Sequence, residues 1–380
     1  MTTAHALAAA PLLIWLYLLW CRGGFWRLSQ RLPAPHAEVQ HARVAVIIPA
    51  RDEAALIGDS IRSLLQQSYR GQIDVIAVDD GSTDGTAEVA IRAAVEIGAA
   101  ARLTVLRGAP LPAGWSGKLW AMSQGVEAAS GLNADYLLLT DADIHHEPDA
   151  VAALVAKAET AHCNLVSCMV ELRAQTVAER ALVPAFVFFF FMLYPPDWIA
   201  SRGSRTAAAA GGCMLMRPRA LAAIGGLASI RSALIDDCAL ARATKAAGGD
   251  IWLGLTRSTR STRPYGSFAA VGRMISRTAF NQLHHSYLLL AATLAGLGIT
   301  YVLPPALLLS GDQVSIACGA GAWALMTIAY GPIVRFYRLP MPWALTLPVV
   351  AVFYAAATAH SAMQYTLRRG GNWKGRVQDL

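Results

Sequence analysis

The chain has 380 residues, of which 55% are hydrophobic and only 15% charged, and it carries a formal net charge of +7. Soluble domains average roughly 25% charged residues, so the composition argues against a wholly soluble protein and points to segments that lie in lipid. No Arg/Lys block with interleaved aromatics is present, which excludes an ordinary nucleic-acid binder and leaves anionic lipid and phosphorylated substrates as partners for the positive charge. The six cysteines form no CxxC and no zinc spacing, so neither a disulfide framework nor a zinc module is expected.

Residues 6–20 contain no formally charged side chain, and Arg22, Arg27 and Arg31 follow at once. A cleaved leader carries its charge before the apolar stretch. The order here predicts a membrane anchor over residues 1–22, short for a span, with its basic flank cytoplasmic. Residues 23–40 read as a linker.

A soluble domain is expected over 41–285. Short β-branched or apolar runs predict strands at Arg43–Ile48, Asp74–Val78, Arg102–Leu106, Asp135–Thr140 and Leu165–Val170. Helical periodicity predicts helices at Asp59–Gln67, Thr83–Gly98, Lys118–Ala129 and Pro148–Ala158. This alternation indicates an α/β sheet with helices on both faces. Such sheets bind ligands beyond the carboxyl ends of their strands. The run LVPAFVFFFFML at Leu182–Leu193 is too short to span a bilayer. Four consecutive phenylalanines exceed what one packed face needs, so residues 182–196 are read as a membrane-interfacial element, with a buried core helix as the alternative.

Over residues 286–366 the only formal charges are Asp312, Arg335 and Arg338, and three long apolar runs predict three transmembrane helices, at Leu288–Leu309, Val314–Val334 and Trp343–Met363. Residues 367–380 form a basic tail. Three crossings put the tail and the soluble domain on opposite sides. Yet both the Arg22–Arg31 and Arg368–Arg376 stretches look cytoplasmic by charge. Either the charge rule fails at one end or one apolar segment does not cross. A cytoplasmic domain at a bacterial inner membrane is expected.

The most informative motif is Thr140-Asp141-Ala142-Asp143, at the end of a predicted strand. In an extended chain Asp141 and Asp143 face one side, and two carboxylates so placed suit a hard divalent ion on a diphosphate. A solvated acidic turn is the plainer alternative. Val78–Thr86 (VDDGSTDGT) closes another strand and opens a helix. An ordinary capped turn explains its glycines and Thr83, but two strand-end carboxylates, Asp79 and Asp80, less well. Gly117-Lys118 opens a helix that can meet phosphate. Gly211-Gly212 permits close approach of the backbone to a substrate, or a bend before a buried strand. Asp236-Asp237 opens an apolar helix: Asp236 can cap it, and Asp237 is a spare carboxylate suited to a general base. His145 and His146 are candidate ligands, but no third histidine or cysteine has ligand spacing, so they are read as solvated loop histidines.

Together these pieces resemble the family 2 glycosyltransferases of GT-A type. The matching text is VIIPARDEA (Val46–Ala54), VDDGSTDGT (Val78–Thr86), GKLWAMSQG (Gly117–Gly125), LLLTDAD (Leu137–Asp143), GGCMLMR (Gly211–Arg217) and IDDCAL (Ile235–Leu240). The anchor, the late apolar runs and NWKGR (Asn372–Arg376) are similar to the hopene-associated members. The resemblance implies a GT-A domain with a mixed, mostly parallel sheet, an inverting transfer from a nucleotide sugar such as a UDP-sugar, and Mg2+ or Mn2+. It implies that Glu53 and Asp80 bind the uridine part, with Pro49, Arg51 and Asp79 in the same donor site. Lys118 would lie beside the diphosphate, and Asp141, Ala142 and Asp143 would form the DxD segment. Gly211, Gly212 and Asp236 would lie on the acceptor side, and Asp237 would be the base. The family's processive polysaccharide synthases carry QxxRW. Here Gly272–Phe280 lacks the Gln and Trp, although Arg273 or Arg277 could still reach phosphate. The departure favours transfer of one sugar to a lipid acceptor such as a hopanoid. The alternatives are a polyprenyl phosphate or envelope glycan as acceptor, or an inactive membrane scaffold.

Overall fold

A computed structural model describes residues 3–32, 41–367, 372–373 and 376–377. Residues 33–40 of the expected linker and most of the 367–380 tail lie outside the described residues. The chain divides into two compact units. Among the described residues, one comprises 30–32, 41–173 and 198–263; the other comprises 3–29, 174–197 and 264–367.

The first unit is built on an eight-stranded sheet. Its strands are β1 (Val44–Ala50), β2 (Ile73–Asp79), β3 (Leu103–Arg107), β4 (Tyr136–Thr140), β5 (Ile144–His146), β6 (Leu165–Glu171), β7 (Cys213–Met216) and β8 (Ile251–Ser261), and their order is β3-β2-β1-β4-β7-β6-β8-β5. The pairs β1–β2, β1–β4, β2–β3 and β6–β8 are parallel; β4–β7, β6–β7 and β5–β8 are antiparallel. The sheet is therefore mixed and mostly parallel, as expected. All seven residues of β1 are buried, which explains its unbroken apolar text: a central strand covered on both faces has no polar side to alternate with. Pro49 is tolerated because β1 pairs with β4 only as far as Ile47↔Leu139.

The five predicted strands match β1, β2, β3, β4 and β6 to within two residues at each end. Strand β8 was not anticipated. Its text, IWLGLTRSTRS, is apolar at first and polar later, because Ile251–Thr256 is buried while Arg257 and Arg260 face water. The helix Gly117–Ala129 lies close to the sheet at Gly125, where a Cβ would come within 2.6 Å of Ile47 Cγ2. At its start Ser116 Oγ accepts from Leu119 N at 3.3 Å, a side-chain cap that fixes where Lys118 emerges.

The second unit is helical. It contains Thr3–Cys21, Val177–Leu193, Phe268–Ser276 and three helical stretches long and apolar enough to cross a membrane: Tyr287–Leu307, Gln313–Phe336 and Met341–Thr366. The N-terminal helix is apolar but shorter than these three. The expected domain of 41–285 is thus divided differently, with 174–197 and 264–285 grouped with the apolar helices. The phenylalanine run lies inside Val177–Leu193, where Phe188 and Phe191 are buried. Phe188 packs edge-on against Phe25 and Tyr330, and Phe189 against Tyr301. Consecutive phenylalanines are accommodated because several helices surround this one. Its start is fixed by a capping box between Thr176 and Glu179. The buried Glu179 carboxylate also accepts from Tyr265 N and Gly266 N at 2.8 and 3.2 Å. Burial acts to raise its pKa, but the backbone N–H groups of Thr176, Gln175, Tyr265 and Gly266 outweigh it and hold it at about 2.

Candidate active site

The parallel strands β2, β1 and β4 end side by side, and the motif residues follow those ends. Arg51–Glu53 continue from β1, Asp79 closes β2 with Asp80 after it, and Asp141–Asp143 continue from β4. The first two loops are stitched together. Ser82 Oγ accepts from Asp52 N at 3.0 Å, Thr86 Oγ1 from Glu53 N at 2.8 Å, Asp84 Oδ2 from Ala54 N at 2.9 Å and Asp52 Oδ1 from Thr83 N at 2.9 Å. These bonds hold Asp52 in a left-handed conformation, φ 50°. They also separate the roles of two adjacent carboxylates. Asp79 accepts from Ser82 N at 2.9 Å and closes the turn. Asp80 is buried, with Oδ2 3.7 Å from Arg51 Nη1, which also donates to the Asp80 carbonyl.

A second cluster is centred on Lys118. Its Nζ lies 2.8 Å from Asp141 Oδ1 and 3.3 Å from Asp236 Oδ2. Asp237 is adjacent: its Oδ2 accepts from Gly211 N at 2.8 Å and its Oδ1 from Cys238 N at 2.7 Å. A Cβ at Gly211 would lie 3.3 Å from both Asp237 Oδ2 and Lys118 Nζ, so a glycine there lets the backbone reach the carboxylate without pressing on two charged atoms. A third cluster joins Asp143 to the first loop. Arg263 donates from Nε to Asp143 Oδ2 at 3.0 Å and from Nη2 to Glu53 Oε1 at 2.5 Å, and Ser261 Oγ donates to the same Asp143 oxygen at 2.9 Å.

The family description "Glycosyltransferase like family 2" matches residues 41–281. The chain belongs to this glycosyltransferase family. A mannosyltransferase from Pyrobaculum calidifontis, solved in complex with GDP-Man and Mn2+, superposes with a TM-score of 0.60 at 20% identity, covering 94% of this chain and 97% of that one. At that identity the likeness speaks for the fold, which is GT-A. A 4,4'-diaponeurosporenoate glycosyltransferase of Staphylococcus aureus strain bovine RF122 / ET3-1 is 34% identical over 136 residues, 36% of this chain. An uncharacterized Methanocaldococcus jannaschii protein is 27% identical over 118 residues, covering 31% of this chain and 42% of its own length. The chain spans only 33% of the length of the S. aureus relative.

In this family 2 glycosyltransferase the structure brings Lys118, Asp141, Asp236, Asp237 and Gly211 into one cluster, and Glu53 and Asp143 into another through Arg263. Ala142 is buried between the two aspartates of its motif. Gly212 serves packing and the strand end: a Cβ would meet Ile144 Cδ1 at 3.3 Å, and its carbonyl accepts from Thr140 Oγ1 at 2.7 Å. Arg273 lies on Phe268–Ser276 and Arg277 caps that helix, both in the helical unit. The histidine reading needs correction. His146 is buried, its Nε2 3.1 Å from Thr140 Oγ1, and burial, with His145 beside it, drives its pKa down to about 3. His145 Nδ1 instead lies 2.8 Å from Asp59 Oδ2. Strand β5 pairs His146 with Thr259, and this pairing carries the imidazole inward.

Arg263 was missed. Its signal lies in the strand alternation: Thr259 and Ser261 are buried, and Arg263 is next on that side.

The electrostatics follow from the clustering. Burial raises the Asp237 pKa, and the charge on Asp236 raises it further; Lys118 and two N–H bonds pull the other way, and the result is about 6. Burial likewise raises Asp141, while Lys118 lowers it and Asp143 raises it. Burial disfavours the Lys118 ammonium, but Asp141, Asp236 and Asp237 more than compensate, so its pKa stands above the usual lysine value. Hard carboxylate oxygens at Asp141 and Asp143 suit a Mg2+ or Mn2+ ion. No group of three or more His, Cys, Asp or Glu that could hold a metal occurs among the described residues. Asp141 and Asp143 are the residues that would hold such an ion, and they now bond Lys118 and Arg263 respectively.

Proposed function

We propose that this enzyme transfers one sugar from a nucleotide sugar, a UDP-sugar in the first instance, to the hydroxyl of a membrane lipid. The observation that carries this reading is the Lys118 hub. One ammonium group ties the donor-side Asp141 to Asp236, the residue before the base candidate Asp237. Donor and base chemistry therefore meet at one place.

In this mechanism Glu53 and Asp80 hold the nucleoside, with Pro49, Arg51 and Asp79 shaping the loops around it. Asp237 takes the proton from the acceptor hydroxyl as the new oxygen–carbon bond forms at the anomeric carbon. The bond from that carbon to the diphosphate oxygen breaks on the opposite face, which inverts the configuration. The leaving nucleotide diphosphate gathers negative charge, and the Lys118 ammonium offsets part of it. A divalent ion held by Asp141 and Asp143 would supply further positive charge to the diphosphate.

Support for a lipid acceptor comes from the three apolar helices and from the S. aureus relative, whose name specifies a diaponeurosporenoate acceptor. A hopanoid is the acceptor suggested by the likeness to hopene-associated members. The enzyme is placed in the bacterial inner membrane as a multi-pass protein with the catalytic domain cytoplasmic.

A panel of UDP- and GDP-sugars incubated with the enzyme and native membrane lipids, read by mass spectrometry, is expected to yield a lipid heavier by one sugar. Polymer, or nucleotide release without a glycolipid, would overturn the reading. EDTA is expected to weaken nucleotide-sugar binding measured by calorimetry. Unchanged affinity would remove the metal role of Asp141 and Asp143. The rate is also expected to fall on the acid side of about pH 6, where Asp237 takes up its proton and ceases to be a base. A pH profile of kcat/KM with no acidic limb near that value would argue for a different base.

A further inference from the structure

The stretch Leu303–Leu307 packs against Gln313–Phe336 across a tight loop through Ser310–Asp312, so the two helices leave the loop in the same direction. Gly319 lies so close to the first helix that a Cβ would fall 2.6 Å from Pro304 O. The ends Tyr287 and Phe336 therefore lie on one side of this pair, and the loop on the other. The N-terminal helix confirms the axis. His5 Nε2 is 3.4 Å from Asp312 at the loop end, and Trp15 Nε1 donates to Thr300 O at 2.9 Å midway along.

The third apolar segment, Met341–Thr366, does not follow this axis from end to end. It starts near the Phe336 end, where a Cβ at Gly331 would lie 3.1 Å from Met341 Cε. It reaches the middle of the pair, where Trp323 Nε1 donates to Leu345 O at 3.2 Å. There the backbone changes from a 3-10 turn at Met341–Thr346 to an α-helix from Leu347. The helix then returns. Tyr354 packs on Phe189 with ring centroids 4.8 Å apart, and Phe189 packs on Tyr301 at mid-depth. Further on, Ser361 Oγ accepts from Phe280 N at 3.1 Å, and Tyr365 stacks on His285 at 4.1 Å. At the end, Thr366 Oγ1 and Tyr287 Oη are 2.7 Å apart. Both ends of the segment thus lie at the end of the pair marked by Tyr287 and Phe336.

We propose that residues 341–366 form a re-entrant hairpin that enters and leaves the membrane on one face, so that the chain crosses twice, not three times, after Ser286. The proposal rests on the membrane reading of the helical unit. Trp323 lies thirteen residues before Phe336, so at about 1.5 Å per residue the hairpin tip reaches roughly 20 Å from that end and stops short of the loop. Irregular backbone at membrane depth is tolerated only where protein buries it, and Ala344 and Leu347, at the turn, are fully buried. Pro342 and Pro348 suit a bend there, since proline does not continue a preceding helix. Charge agrees: Arg335 and Arg338 precede the segment and Arg368 and Arg369 follow it, and both pairs belong on one face by the charge rule. The apolar side chains Val349 and Val352, each more than half exposed, would then meet the acyl chains of a single leaflet.

Single cysteines test this in sealed membrane vesicles. Cys21 and Cys318 are replaced by Ser; the other four cysteines are buried. Arg92→Cys, Ser310→Cys and Leu367→Cys are then labelled one at a time with a membrane-impermeant maleimide. The hairpin predicts that position 367 labels from the same side as position 92, and position 310 from the other. Label at 367 and 310 from one side and at 92 from the other would restore three crossings and overturn the hairpin. Label at all three from one side would overturn it through the membrane reading itself. Glycosyl transfer by each variant is measured separately, so sidedness and activity can fail independently.

Discussion

Asp237→Asn is expected to reduce sugar transfer by roughly 100- to 10,000-fold, the usual contribution of a positioned general base, while leaving nucleotide binding nearly unchanged. The asparagine is close to isosteric, and its carbonyl can still accept from Gly211 N, which now bonds Asp237 Oδ2 at 2.8 Å. What it loses is the capacity to take a proton. The amide nitrogen replaces the oxygen that accepts from Cys238 N at 2.7 Å, and this loss offsets the relief of a buried carboxylate, so stability is expected to change little. Burial and the Asp236 charge already push the Asp237 carboxyl up to about 6, so its ionised form is held in the folded state at a cost. The sign is that of a raised carboxyl pKa: its stabilising effect is full below about 4 and is lost as pH climbs through 6. Transfer assays with the native acceptor, paired with calorimetric titration of the nucleotide, check both halves. Full transfer by the variant would remove Asp237 from the chemistry, and a large loss of nucleotide affinity would make it a structural residue.

Lys118→Met is expected to destabilise the catalytic unit by about 3 kcal/mol, at the low end of the cost of leaving a buried charge unpaired. The low end is appropriate because the Asp141 side chain is 35% exposed, so water can take over part of the role of the ammonium. The loss is expected to be larger at pH 8 than at pH 5. Without Lys118 the pKa values of Asp141 and Asp237 rise further, and a raised carboxyl pKa weakens folding as pH increases. Nucleotide-sugar binding should weaken in the same variant. Thermal melts at the two pH values decide: equal destabilisation at both would mean that Lys118 contributes packing and not charge.

Much of the strand-end acidic cluster was legible because it is written locally. A strand that ends in carboxylates, followed by a glycine turn and a capped helix, needs only neighbours in sequence, and Asp79–Thr86 and Asp141–Asp143 were found that way. The pair Asp79-Asp80 shows where local reading stops. Both were equally good ligands on paper, and the loop hydrogen bonds assign Asp79 to the turn and direct Asp80 to Arg51. His146 went wrong for a related reason. A three-residue strand has no periodicity to read, and its burial comes from pairing with β8.

The amino-acid sequence by itself determined the α/β core, the strand-end acidic motifs, the opening of the Lys118 helix and the apolar late segments, since each depends on the period or composition of a short stretch. Only the tertiary structure decided that Arg263 bridges Asp143 and Glu53, 120 and 210 residues away in the chain. It also decided that Lys118 gathers Asp141 and Asp236, and that the last apolar segment bends back on itself. A contact between distant residues is set by how strands pair and helices pack, and no periodicity within a single segment encodes it.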